Sequence, residues 1–263
     1  MTGPVPRPAR GVVLVEARRI RLVEVDAPAL PPGLRSAMDR AWDAAVAAAP
    51  ALFDGPVAGC VGLDRDGPDS LVLSWARTTY RRHVLRRFPG ATGWLPSLFV
   101  AVMQPDEDGR LLIGRMAPWT ATLSRRQLPG GSAEPPEDHE TLDLAALRRH
   151  AARELAEETG TVVPPGDLTL WVVTRAANGT VGVLFLAPPR PEALLRERFA
   201  ALVASETARG LEPEFDRIGF VGSPADVAAL GDRAVDYLAP LVRRWADRAE
   251  EPVDRLRSQD PPA

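Results

Sequence analysis

RELAEETG, residues Arg153 to Gly160, gathers three acids, Glu154, Glu157 and Glu158, into five positions. On a helix, positions i, i+3 and i+4 share one face. Like charges on one face repel, and each close pair costs about a few tenths of a kcal/mol. A protein tolerates such a face in solvent when arginines flank it, and Arg148, Arg149 and Arg153 are near enough to do so. The other reading is a site that holds a divalent metal, since hard cations take several carboxylate oxygens. The surroundings bear on the choice. Upstream, Leu144, Leu147, Ala151 and Leu155 recur at helical spacing, which predicts one long helix over Thr141–Thr159 with an apolar face. Thr159-Gly160 is a helix stop. Before the helix, across a polar insertion, Leu128-Pro129-Gly130-Gly131 forms a glycine turn that follows a strand.

Composition narrows the classes. The chain has 263 residues, 45% hydrophobic and 25% charged, with a formal net charge of −3. That suits a globular protein of one large domain or two smaller ones. The balance gives no ground for non-specific nucleic-acid binding. The sequence has no lysine, so all 32 basic residues are arginine, as a GC-rich coding sequence would give. The single cysteine, Cys60, leaves no internal disulfide and fits a reducing compartment. The opening MTGPVPRPAR has no apolar signal core. The longest apolar runs, such as Leu98 to Met103, are too short to span a bilayer. A cytoplasmic protein is expected, with no membrane partner.

Working outward, Gly11–Val15 and Ile20–Val25 read as strands. Leu34–Ala49 reads as a helix, with Leu34, Met38, Trp42 and Val46 on its stripe. A β-hairpin is expected across Pro56–Ala76 and a short basic helix over Thr78–Phe88. SLFVAVMQ and RLLIGRM flank the turn signal PDEDG. TLWVVTRAA and GTVGVLFLAP read as strands around Asn178-Gly179, a two-residue hairpin signal. PEALLRERFAALVASE reads as a helix, DRIGFVG as a strand, and the stretch after Ser223 as one or two helices. The alternation predicts an α+β protein, an α/β/α sandwich around a mixed β-sheet. The expected division is a β-rich accessory region over 1–95, the main domain over 96–248 and a flexible tail over 249–263.

LPGG followed by RELAEETG resembles the box of the Nudix hydrolase family. The second half matches at Arg153, Glu154, Leu155, Glu157, Glu158 and Gly160; Thr161 stands where an aliphatic residue is usual. The first half is stretched. Gly131 lies 22 positions before Arg153, eight more than the family spacing, so Glu134, Glu137 and Glu140 all compete for the middle glutamate. The resemblance implies a Nudix fold and metal-dependent hydrolysis of a nucleoside diphosphate linked to another group. It implies Mg²⁺, with Mn²⁺ as the alternative, on Glu154, Glu157 and Glu158. Arg153 would orient a glutamate, and Gly130 and Gly131 would shape the substrate loop.

The flanks resemble the Nudix subgroup that hydrolyses UDP-glucose and UDP-galactose. Leu52-Phe53-Asp54-Gly55, the lengthened box and an arm ending EPEFDRIGFV carry this likeness, roughly from Ala51 to Val221. In that subgroup the helix acids are partly replaced; here they are complete. The expected products are UMP and sugar 1-phosphate. By the same likeness Glu214 is a candidate metal ligand or general base, with Glu212 as competitor. Arg175, Arg87 and Arg82 are candidates for a phosphate, against the plainer reading of solvated arginines. Phe53, Trp75, Tyr80 and Trp94 are candidates to stack on a base, against the plainer reading of core aromatics. His150, one turn before Glu154, is read as a partly exposed partner of that acid, with a ligand role as the alternative. The rivals are a Nudix pyrophosphatase for ADP-ribose, CoA, a dinucleotide or a prenyl diphosphate, and a non-catalytic nucleotide-binding sensor. The expected partner is a small nucleotide; the sequence leaves the oligomeric state open.

Overall fold

A computed structural model describes residues 2–49, 52–88, 93–120, 124–138 and 140–250. The fold is α+β, built from three sheets and five α-helices among the described residues. Of the tail expected over 249–263, residues 249 and 250 end the last helix, and the rest lies outside the described residues.

The first sheet is N-terminal. It contains β1 (Thr2–Pro4), β3 (Arg19–Glu24), β4 (Pro56–Asp66) and β5 (Ser70–Thr79), in the order β1-β4-β5-β3. β4 and β5 form the expected hairpin, and β3 lies parallel to β5. Helix α1 (Pro32–Ala48) precedes the hairpin and buries Trp42. The basic helix expected over Thr78–Phe88 is a 3₁₀ helix over Tyr80–Arg87. Its first residues went elsewhere: Thr78 and Thr79 still pair with Val57 and Pro56 in β5, where β-branched side chains are at home.

The second sheet is the centre of the molecule. It contains β2 (Val12–Val15), β6 (Leu98–Met103), β9 (Thr169–Ala176) and β10 (Val181–Leu186), ordered β2-β9-β10-β6. β6 runs parallel to β10, and the remaining pairs are antiparallel, so the sheet is mixed. The expected division near residue 95 is crossed by β2, which pairs with β9 although it lies in the first segment.

Side-chain alternation along β6 shows the layering. Val100 and Val102 pack into a core with Leu147, Ala151 and Leu155 of helix α2 (Leu144–Thr159). Ala101 and Met103 point to the other face, into a core with Leu238, Leu241 and Val242 of helix α5 (Leu238–Glu250). Successive residues of a strand face opposite sides, so both faces of the central sheet are covered by helices. The first of these cores also takes in Leu63, Leu71, Leu73 and Trp75 of the N-terminal hairpin, which joins the first sheet to the centre.

The third sheet contains β7 (Leu111–Met116), β8 (Arg126–Gln127) and β11 (Phe215–Val221), ordered β11-β7-β8. β6 and β7 flank the PDEDG turn but do not pair with each other. Helix α3 (Glu192–Ala208) packs on α2, and helix α4 (Pro224–Leu230) on α5. The Asn178-Gly179 turn is longer than the two-residue form. Gly179 N–H donates to Ala176 O, Ala176 N–H donates to Thr180 O, and only Gly179 has positive φ, at 87°. That is a type I turn closed by a left-handed glycine. No helix among the described residues is long and apolar enough to cross a membrane.

Candidate active site

Helix α2 is fixed at both ends. The Asp143 carboxylate caps its start, accepting from Ala146 N–H at 2.7 Å. Gly160 ends it in the left-handed conformation, its N–H donating to Ala156 O. Leu147, Ala151 and Leu155 anchor the helix in the core with no exposed surface. One face therefore has a fixed direction, and that face carries the acids. Glu158 is buried, Glu154 largely so, and Glu157 keeps 63% of its side chain exposed.

The glycine turn comes to meet this face. Backbone bonds stitch it to β6: Val102 N–H donates to Pro129 O at 2.8 Å and Val100 N–H to Gly131 O at 3.0 Å. Gly130 N–H then donates to Glu158 Oε2 at 2.6 Å, a charge-assisted bond when the carboxyl is ionised. At Gly130 φ is +153°, and a Cβ there would stand 2.1 Å from Val100 O. A Cβ on Gly131 would stand 2.7 Å from the Glu154 carboxylate. The turn can lie this close to β6 and to Glu154 only because these two residues lack side chains.

Three of the acids have raised pKa values, and the charge of Glu154 is a cause in each. Burial, then the charge of Glu154, pushes Glu158 well above the usual carboxylate range, with Glu214 and Glu157 adding to it and the Gly130 N–H opposing. Partial burial, then Glu154, raises Glu157. Glu214, just before β11, is raised by the surrounding protein and then by Glu154 and Glu157. These mutual effects place the four acids in one electrostatic neighbourhood. Such raised carboxyls cluster at functional sites, though structural networks produce them as well.

A stability consequence follows for the metal-free protein. The folded Glu158 carboxyl titrates above its ordinary 4.5, so the folded state holds that proton more tightly than the unfolded chain does. The resulting stabilisation is complete below 4.5 and is lost as pH rises through the folded pKa. Glu158→Gln removes the ionisation and keeps an oxygen for Gly130 N–H. In chelator its melting temperature should exceed that of the wild type at about pH 8 and converge with it at about pH 3. Parallel melts of the two proteins across pH check this; a gain that is equally large at acid pH would contradict it.

Other groups fix the cluster's edges. His150 Nε2 lies 2.6 Å from Glu154 Oε1, and both side chains are mostly buried. Arg153 donates to Glu134 Oε2 at 2.9 Å and stands 3.9 Å from Glu157 Oε1. Of the three insertion acids, Glu134 is the one in contact with Arg153. Tyr237 was not visible as a site residue in the sequence. It is buried between α4 and α5, and its hydroxyl accepts from Leu128 N–H at 3.2 Å, directly before the glycine turn. Its signal in the sequence is only a tyrosine in a helical stretch, with nothing to say what it reaches.

One expectation needs correction. Arg175 does not face solvent: it is buried, and its Nη1 donates to Leu63 O at 3.0 Å beneath the N-terminal hairpin. Burial lowers its pKa. β9 is a central strand, covered on both faces, so the inward-pointing end of its one arginine is taken by the hairpin's backbone. Trp75 is likewise core, with 1% exposure. Tyr80 packs edge-on against Trp42 and His83, whereas Phe53 is 77% exposed. The side chain of Arg87 lies outside the described residues. Cys60 is buried, which pushes its thiol up to about 11.

For a divalent ion the donor chemistry fits. Glu154, Glu157 and Glu158 offer hard oxygens, and a buried carboxyl among like charges gains from an added positive charge. Among the described residues no three acid, histidine or cysteine groups already stand as a metal cage; Glu154 is turned to His150.

No protein-family model matches the chain, and no curated protein matches it. Among solved structures, the MutT protein of Methanosarcina mazei Go1 is similar over 59% of this chain and 97% of its own, with 20% identity and a TM-score of 0.40. The NUDIX domain of Shewanella oneidensis NrtR, solved with ADP ribose, is similar over 65% of this chain and 99% of its own, with 17% identity and a TM-score of 0.38. A bifunctional NMN adenylyltransferase/ADP ribose pyrophosphatase from Francisella tularensis, solved with AMP and a Mn ion, is similar over 61% of this chain but only 43% of its own, with 13% identity and a TM-score of 0.35. Scores at this level add nothing to what the residues of the site themselves show.

Proposed function

We propose that the protein is a Nudix-type hydrolase that cleaves the diphosphate of a nucleoside diphosphate derivative, with UDP-sugars as the substrate class. One observation carries this reading. Glu154, Glu157 and Glu158 stand on one helix with Glu214 nearby; the charge of Glu154 helps to raise the pKa of the other three, and a Gly-Gly turn touches Glu154 and Glu158. A purely structural helix has no use for this concentrated repulsion.

Glu154, Glu157 and Glu158 would hold Mg²⁺, or Mn²⁺ in its place. A bound divalent ion supplies positive charge toward phosphate oxygens and acidifies water. The chain's own groups do the rest. Arg153, held by Glu134, positions Glu157. Glu214 enters from the start of β11, and its raised pKa brings it nearer to the working range of a general base. The Gly130-Gly131 turn lies directly against Glu154 and Glu158, and a side chain on Gly131 would meet the Glu154 carboxylate. The UDP-sugar class is supported by the sequence likeness of Leu52–Gly55, where the Phe53 ring is presented to solvent.

Incubation of the purified protein with Mg²⁺ and a panel of UDP-sugars, ADP-ribose, CoA and prenyl diphosphates tests both levels, with products identified by mass. UMP and sugar 1-phosphate from UDP-sugars are the expected products. Turnover of another member instead would reject the substrate class and keep the hydrolase. Binding of nucleotide without turnover of any member would reject the hydrolase.

A further inference from the structure

A cavity of about 630 Å³ lies in the N-terminal region among α1, the end of β5 and the 3₁₀ helix. None of its lining residues belongs to α2, the glycine turn or the β11 start. Its charged lining is Arg35, Arg77, Arg81, Arg82, Asp39 and Asp54, four guanidiniums against two carboxylates.

The partners of these arginines decide what the cavity can hold. Arg77 is committed: it pairs with Glu24 at 2.8 Å, and its Nη1 donates to Pro136 O at 2.6 Å. Arg81 is committed as well, to Asp54 at 2.9 Å and Asp39 at 3.2 Å. Those two ion pairs use both lining carboxylates. Among the described residues Arg35 and Arg82 have no carboxylate partner. Arg82 is held in place by carbonyls instead, its Nε donating to Gly93 O at 2.7 Å and its Nη2 to Pro28 O. Burial, then the like charge of Arg35, lowers the pKa of Arg82. Two uncompensated guanidiniums thus face one cavity, one of them oriented by the backbone.

We propose that this cavity binds a phosphate-bearing small molecule through Arg35 and Arg82, separately from the carboxylate site. A planar guanidinium donates paired N–H groups that match phosphate oxygens. The volume falls within that of small-molecule sites, about 300–1,000 Å³. Two unpaired positive charges match the charge of a doubly ionised phosphate group, and binding one would relieve the Arg35–Arg82 repulsion.

The test is titration of the full chain with inorganic pyrophosphate in chelator, followed by calorimetry. Chelator keeps the carboxylate site from contributing through a metal. The expected result is saturable binding that Arg35→Gln weakens at least about tenfold, as loss of one charge-assisted contact does, and that Glu157→Gln leaves unchanged. Arg35 is exposed and makes no ion pair among the described residues, so this variant should fold as the wild type does. Arg82→Gln, checked by its melting curve, should weaken binding at least as much. Absence of saturable binding to the wild type, or equal binding by wild type and Arg35→Gln, overturns the proposal. Loss of binding in Glu157→Gln would overturn it too, by placing the anion at the carboxylate site. None of these outcomes depends on whether the protein hydrolyses a diphosphate.

Discussion

Glu157→Gln is expected to lower metal-dependent diphosphate hydrolysis by more than about a hundredfold while leaving the melting temperature close to that of the wild type. The substitution keeps size and shape and removes one negative charge. With 63% of its side chain exposed and its nearest cation, Arg153, 3.9 Å away, Glu157 contributes little to folding; a solvent-exposed pair of this kind contributes at most about 1 kcal/mol. For a hard divalent ion the same change removes a charged oxygen donor. Even groups that only orient metal ligands cost about 10–100-fold when removed, and a ligand should cost more. Initial rates at saturating Mg²⁺, set beside a thermal melt, check both halves. Near wild-type turnover in a folded variant would show that Glu157 is not part of the chemistry.

Two alanine substitutions in the glycine turn should fail in different ways. Gly130→Ala would put a methyl group 2.1 Å from Val100 O and 2.6 Å from Ala101 Cα, at φ +153°. Both neighbours are backbone atoms of β6, a strand of the central sheet packed between two cores, and cannot give way. The expected cost exceeds about 4 kcal/mol, seen as loss of soluble protein or a collapse of the melting temperature. Gly131→Ala would first meet the carboxylate of Glu154, at 2.7 Å, the far end of a flexible side chain. That variant should fold, with Glu154 displaced and turnover lost. Comparing melts and rates for the pair separates the roles: a well-folded Gly130→Ala, or a fully active Gly131→Ala, would contradict the geometry of the turn.

What was legible in the sequence is what local chemistry decides. The apolar spacing of Leu147, Ala151 and Leu155 and the stop at Gly160 defined α2 and the face that carries the acids, because helix periodicity is a property of the segment itself. The hairpin of β4 and β5 was legible for the same reason. Less was legible where the outcome depends on distant chain. β6 and β7 are neighbours in sequence but join different sheets, since β10 and β11 compete for their edges. Arg175 reads as an exposed end of a hairpin until the N-terminal hairpin is placed over it. The helix over Thr78–Phe88 shortened and tightened because two threonines stayed in β5. Within the candidate site, the helix glutamates stood out as a motif, and His150 was visible one turn away. Glu134 could not be told from Glu137 and Glu140 by spacing, because the insertion's path is set by Ala58 N–H donating to Ala133 O and by Arg153. Tyr237 reaches Leu128 across 109 positions of sequence, a distance at which no pattern reports.

The central claim is that the α2 carboxylates hold a divalent ion, and it is tested most directly without any substrate. Titration of Mn²⁺ into the nucleotide-free protein, with the free ion followed by electron paramagnetic resonance, reads binding alone. Saturable binding that Mg²⁺ displaces, and that Glu157→Gln loses, is the expected result. No binding to the wild type, or binding of the same strength in the folded variant, would contradict it.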